Sequence, residues 1–191
     1  VVVTHGTDTL AETARYLDLT CESPVVVTGA QRRPDEPGSD GATNLETAVR
    51  AAANERVDSG GFVAFDEELH AAATVRKSHT CALDTFRSPE AGPVARFTRE
   101  RVHWHRSPQG ADATFPVPDP DDHPTVPLVV SASGVGRAAF DDAERRGDGV
   151  VVAGTGLGNV TGPLGDAILD ASCPVVIASR CHAGPTEPIY G

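Results

Sequence analysis

The chain has 191 residues, 39% of them apolar, enough for a packed core in one large domain or in one domain and part of another. Its formal net charge of -11 argues against nucleic acid or an anionic membrane as a partner, because both surfaces repel it. No stretch of roughly 18 apolar residues offers a membrane span, and no basic-then-apolar opening offers a signal peptide.

In chain order the pattern alternates short Val-rich runs with helical stretches. Strand 1 to 4, helix 9 to 19, strand 25 to 28, helix 43 to 56 and strand 62 to 65 form a βαβαβ reading. Continuous runs such as Val25-Val26-Val27 suit strands buried on both faces of a parallel sheet. Residues 76 to 80 read as a polar loop before a helical or irregular segment around Phe86, and 94 to 97 with 101 to 105 read as a hairpin. Residues 107 to 127 then carry six prolines among acidic residues, which excludes a helix or a central strand. Alternation resumes with strand 128 to 131, helix 136 to 146, strand 149 to 153, helix 161 to 171 and strand 174 to 178. The expected class is α/β, with a domain at 1–106, a proline-rich linker at 107–126 and a smaller α/β domain at 127–191, both domains incomplete. Opening on Val-Val-Val without Met, inside an expected strand, the sequence reads as an internal piece of a longer chain.

Of the 16 basic residues Lys77 alone is a lysine. An acidic, Lys-poor composition fits a haloarchaeal protein working in concentrated salt, and fits equally a GC-rich genome that encodes Arg in place of Lys. Cys21, Cys81, Cys173 and Cys181 have no metal-ligand spacing and are expected as reduced thiols of a cytoplasmic protein. His103 and His105 share a face of the expected strand, but with no third ligand evident no metal is assigned.

Ligands of open parallel sheets sit at the carboxyl ends of the strands. After the first strand come Thr4-His5-Gly6-Thr7-Asp8-Thr9. Gly6 allows a sharp turn or a close ligand approach, and Thr9 with Glu12 has capping-box spacing. Thr7 and Asp8 therefore fall at a strand-to-helix junction, where they are either capping residues or part of a site for an anionic substrate group. A lone lysine among arginines suggests a task Arg cannot perform, since a desolvated Lys can lose its proton and activate a hydroxyl. The plain alternative is a chance survivor on a solvated loop. After the second strand, Gly29 and Ala30 can present main-chain groups to a ligand, and Ser39 or Asp40 can cap the next helix. The run Gly154-Thr155-Gly156-Leu157-Gly158-Asn159 approximates a dinucleotide fingerprint but has Asn159 where the last glycine belongs.

These segments together resemble the bacterial and archaeal type of L-asparaginase over essentially the whole chain. The resemblance is carried by Val1 to Leu19 with its HGTDT block, then TGAQRRP at 28–34, SDGATNLETAV at 39–49, RKSHTCALDTF at 76–86, GTGLGN at 154–159 and SRC at 179–181. It implies a flavodoxin-like first domain, a smaller α/β second domain, and a homodimer or homotetramer with sites shared between subunits. It further implies asparagine hydrolysis by threonine-based nucleophilic catalysis, without cofactor, with Thr7, Asp8 and Lys77 as the catalytic set. Gly6 and Ala30 would line the substrate pocket, and L-glutamine is the second candidate substrate. Two features depart from the family pattern: the TGGT-type segment bearing its other catalytic threonine is absent, as are the carboxyl-terminal residues a neighbouring subunit contributes. The 191 residues alone are therefore expected to be inactive. Two rival readings remain: the asparaginase-like subunit of the archaeal glutamyl-tRNA(Gln) amidotransferase, and a non-catalytic small-ligand-binding α/β domain.

Overall fold

A computed structural model describes residues 1–188 of the chain. It divides into two compact units, Val1–Val117 and a second that begins at Pro118. Residues 189–191 of the expected second domain lie outside the described residues. Among the described residues no helix is long and apolar enough to cross a membrane.

The first unit contains β1 (Val2–Thr4), α1 (Leu10–Thr20), β2 (Val25–Thr28), α2 (Gly41–Ala52), β3 (Gly61–Phe65) and β4 (Glu68–Ala71), then β5 (Arg76–Lys77), β6 (Phe86–Arg87), β7 (Ala95–Phe97) and β8 (Val102–Trp104). Six strands form one mixed sheet in the order β1-β2-β3-β4-β7-β8, parallel through β3 and antiparallel beyond it. The sheet is covered on both faces. α2 places Ala48 and Ala51 against Val26, Phe62 and Leu69, whereas α1 places Leu10 and Ala14 against Val25, Val27, Val63 and Phe65. Each of the largest of these side chains, fully buried, contributes about 1.5–3 kcal/mol relative to exposure.

Several local expectations are corrected. β4 has no counterpart in the sequence pattern; it follows a two-residue turn at Asp66 and Glu67, both at positive φ (48° and 60°), which reverses the chain so tightly that Phe65 pairs with Glu68. The segment around Phe86 is a strand. Lys77 pairs with Phe86 across the antiparallel β5–β6 ribbon, whose base is fixed by the buried Val75 and by the Phe86 ring, 4.8 Å from that of Phe65. Thr9 precedes α1, but its φ of -121° and ψ of 20° take it out of capping geometry and its side chain makes no capping bond. Asp40 stands before α2 and likewise caps nothing, because its carboxylate turns to the amides of Gln31 and Arg32.

Residues 107 to 126 contain no helix or strand. Within them Ala111 N donates to the buried Asp18 carboxylate (3.0 Å), which also accepts from Gly61 N (2.7 Å), and Phe115 N donates to Leu19 O (2.7 Å). Prolines forbid a continuous ladder there but leave single backbone donors free to bond.

The second unit has β9 (Leu128–Val130), α3 (Arg137–Arg146), β10 (Val150–Gly154), α4 (Gly162–Leu169) and β11 (Val175–Ser179). Its sheet is parallel in the order β11-β10-β9. Val129, Val150 and Val152 pack with Phe140, Ala143, Leu164 and Ala167 of the helices. Leu128, Val151 and Val176 stand in lateral register, and Leu128 and Val176 are exposed.

Candidate active site

The turn between β1 and α1 and the β5–β6 ribbon meet through side chains 70 residues apart. Lys77 Nζ donates to Thr7 Oγ1 at 2.9 Å and to Asp8 Oδ1 at 2.8 Å. The Lys77 side chain is 20% exposed and that of Asp8 is 95% exposed, so the cation is half-withdrawn while its carboxylate partner faces solvent. The hydrogen bond from Lys77, and then its charge, hold the Asp8 carboxyl below the usual carboxylate range. Three of the residues singled out in the sequence thus form one hydrogen-bonded cluster.

The same turn is braced by His5. Its Nδ1 donates to Gly6 O at 2.7 Å, and its Nε2 lies 3.1 Å from Thr13 Oγ1, so the ring ties the turn to α1. Gly29 is required by a close approach, since a Cβ there would lie 2.3 Å from His5 O. Gly6 is different. It has no positive φ, and a Cβ there would meet nothing within 4 Å, so the sharp turn considered for it does not account for the residue. Gly6 and Ala30 line a hollow of about 370 Å³ with Thr4, Thr28, Gly29 and Leu45, and the side chains of Thr7, Asp8 and Lys77 are not among its walls.

Gln31 belongs to the cluster and is not singled out by the sequence. Thr7 Oγ1 donates to its Oε1 at 2.9 Å, and its Nε2 donates to Ala82 O at 3.2 Å and Thr80 O at 3.4 Å. A single polar residue after Gly-Ala at a strand end gives no pattern from which these distant partners could be read.

The remaining candidates are not drawn into a site. His103 and His105 are exposed at β8, and among the described residues no group of three His, Cys, Asp or Glu side chains could hold a metal ion. The glycine run after β10 closes on itself: Gly158 N and Asn159 N both donate to Thr155 O, and Thr155 N donates to Asn159 O. The amides of Thr155, Gly158 and Asn159 are therefore not available to a phosphate.

Residues 1–110 match the family model described as "Asparaginase, N-terminal". The chain belongs to the asparaginase family. Among relatives, it is 38% identical over 198 residues to the "Probable L-asparaginase" of Deinococcus radiodurans, covering 100% of this chain and 60% of that protein. It is 32% identical over 206 residues to one of the subunits of the glutamyl-tRNA(Gln) amidotransferase of Methanosphaera stadtmanae, covering 98% of this chain and 46% of that protein. The solved structure titled "Crystal Structure of Probable Cytoplasmic L-asparaginase from Campylobacter jejuni" superposes with a TM-score of 0.89 at 34% identity, covering 96% of this chain and 62% of that one. This asparaginase-family chain therefore spans about half to three-fifths of the length of the relatives it matches.

Proposed function

We propose that the protein carrying this chain hydrolyses the side-chain amide of L-asparagine to L-aspartate and ammonia, with Thr7, Lys77 and Asp8 at the reacting centre. The observation that supports this most is the pair of hydrogen bonds from Lys77 Nζ, 2.9 Å to Thr7 Oγ1 and 2.8 Å to Asp8 Oδ1. In that arrangement the ammonium donates to both oxygens. To act as a base Lys77 must first release a proton, after which it can accept one from Thr7 or from a water beside it. The deprotonated oxygen adds to the amide carbon, the C–N bond breaks, and the nitrogen leaves as ammonia carrying the transferred proton. Where the attacking oxygen is a threonine's, water then cleaves the acyl ester, frees L-aspartate and restores the hydroxyl. Asp8 steadies the recharged ammonium, and its exposed, ionised carboxylate is suited to grip the substrate's α-amino group. Main-chain groups at Gly6 and Ala30 are the candidates for stabilising the oxyanion. The functional unit in this reading is a homodimer or homotetramer with shared sites, which light scattering tests.

The likeness to a component of an amidotransferase favours a second reading, in which the ammonia is passed on for tRNA-linked amidation. The net charge of -11 makes the chain itself a poor tRNA binder. Ammonia release separates the two when the protein expressed from its complete gene is assayed on L-asparagine and L-glutamine without tRNA or partner. The proposal expects release from L-asparagine under those conditions. Release that depends on tRNA or a partner would shift the reading to the amidotransferase, and none under any condition would sink both.

A further inference from the structure

We propose that Gln31 is a positioning residue that fixes the distance between Thr7 and Lys77; this rests on the reading of those two residues as the reacting pair. The two arrive from separate parts of the fold, Thr7 on the turn after β1 and Lys77 on the β5–β6 ribbon. Their own contact is one hydrogen bond of 2.9 Å. Gln31 supplies a second tie across the same gap. At one end its Oε1 accepts the Thr7 hydroxyl proton, and at the other its Nε2 donates to the carbonyls of Ala82 and Thr80, both in the loop that joins β5 to β6.

The orientation of this amide is dictated by its surroundings. Reversed, it would point its oxygen at two carbonyl oxygens, a repulsive arrangement. The residue is also anchored at its backbone, where Gln31 N donates to Asp40 Oδ1 (3.1 Å) and Oδ2 (3.0 Å). Asp40 is in turn held by Asn44 Nδ2 at 2.9 Å, and the buried Asn44 also donates to Gly29 O at 3.0 Å. A continuous hydrogen-bonded path therefore runs from the start of α2 through Gln31 to the Thr7 oxygen and on to Lys77. While Lys77 is an ammonium, the single Thr7 hydroxyl proton goes to Gln31 and an oxygen lone pair faces Lys77; once Lys77 has released its proton, rotation about the C–O bond turns the hydroxyl proton towards it, with the oxygen kept in place. Glutamine suits this position because it offers an acceptor at one end and donors at the other. Glutamate keeps the acceptor and loses the donors, and methionine keeps the length and loses both.

The test uses Gln31→Met and Gln31→Glu in the protein expressed from its complete gene. Two quantities are read: steady-state kinetics on L-asparagine, and the rate at which trinitrobenzenesulfonate labels Lys77, followed by mass spectrometry on the peptide that carries it. Thermal unfolding of each variant confirms a folded state. Gln31→Met is expected to lower kcat by about 10- to 100-fold, the penalty of a slightly misplaced reacting group, with KM within about threefold of wild type. Lys77 labelling in Gln31→Met is expected to quicken by about threefold or more as its cluster loosens, and Gln31→Glu, which sets a carboxylate oxygen against the Thr80 and Ala82 carbonyls, should lose at least as much kcat as Gln31→Met. Because thermal unfolding shows the variants folded at the assay temperature, a general loss of stability would not account for a lower kcat at constant KM. Labelling that stays at the wild-type rate in Gln31→Met, kcat that does not change, or Gln31→Glu with near wild-type kcat would each overturn the proposal. If the wild-type protein does not hydrolyse L-asparagine, the labelling arm still decides the brace, and only the amidase reading falls.

Discussion

Two turns in this molecule follow the carboxyl end of a parallel strand and carry glycine, and they use it in opposite ways. At the end of β10, Gly154 is needed because a Cβ there would lie 2.4 Å from the backbone of Gly158, and the amides of Thr155, Gly158 and Asn159 are bonded within the turn itself. After β1, Gly6 has open space around it, and the polar side chains that follow reach out to Gln31 and Lys77. A glycine consumed by its own backbone marks a structural turn. A glycine that no contact within the chain requires, beside side chains that bond across the fold, marks a candidate site.

Substitutions can break or sharpen that contrast. The largest effect is expected from Gly154→Ala, which must displace the opposing backbone and should cost about 2–3 kcal/mol of stability, seen as a fall in the midpoint of chemical denaturation. Next comes a hydroxyl placed in the two sheets. Val26→Thr, at a fully buried position, should cost about 1–3 kcal/mol by the same measurement, whereas Val176→Thr, at 60% exposure, should stay within about 0.5 kcal/mol.

A further effect depends on pH. Burial holds the His70 imidazole down at about 4, with the nearby Arg106 and Arg87 pushing the same way and Glu68 opposing them. Its Nδ1 lies 3.1 Å from Ser88 Oγ, while Nε2, 3.3 Å from Glu68 Oε2, makes no hydrogen bond of good geometry. The unfolded chain takes up a proton near pH 6.5 that the fold refuses, so stability is complete above about 6.5 and declines as pH falls towards about 4. Melting temperature followed from pH 7 to 4.5 should show this slope in the wild type and a shallower one in His70→Asn. The smallest effect on stability is expected from Gly6→Ala, within about 0.5 kcal/mol, and here the contrast is sharpest: ammonia release should fall although the fold does not weaken. Unimpaired release would remove Gly6 from the site.

Much of the fold was legible because hydrophobic runs and their spacing are local signals. The order β1-α1-β2-α2-β3 and the second alternation from β9 to β11 lie within a few residues of where the pattern puts them. What the pattern does not carry is the number of faces a strand buries. Val25-Val26-Val27 is buried throughout, whereas Leu128-Val129-Val130 reads the same and is exposed at both ends. β4 was hidden because its turn uses Asp66 and Glu67 rather than Asn-Gly, and β5 and β6 because each has only two residues. In the candidate site, Lys77 stood out through composition and Thr7 and Asp8 through their place after a strand. Gln31 did not, since its partners are 24, 49 and 51 residues away and no local rule connects them.

The most direct test of the reacting centre is ammonia release from L-asparagine by Lys77→Arg in the protein expressed from its complete gene. Arginine keeps a positive charge beside Asp8 but cannot give up a proton to serve as a base. Activity is expected to fall by roughly 10²- to 10⁴-fold with the melting temperature little changed. A variant that retains activity within about tenfold of wild type would contradict the assignment of Lys77 as the base.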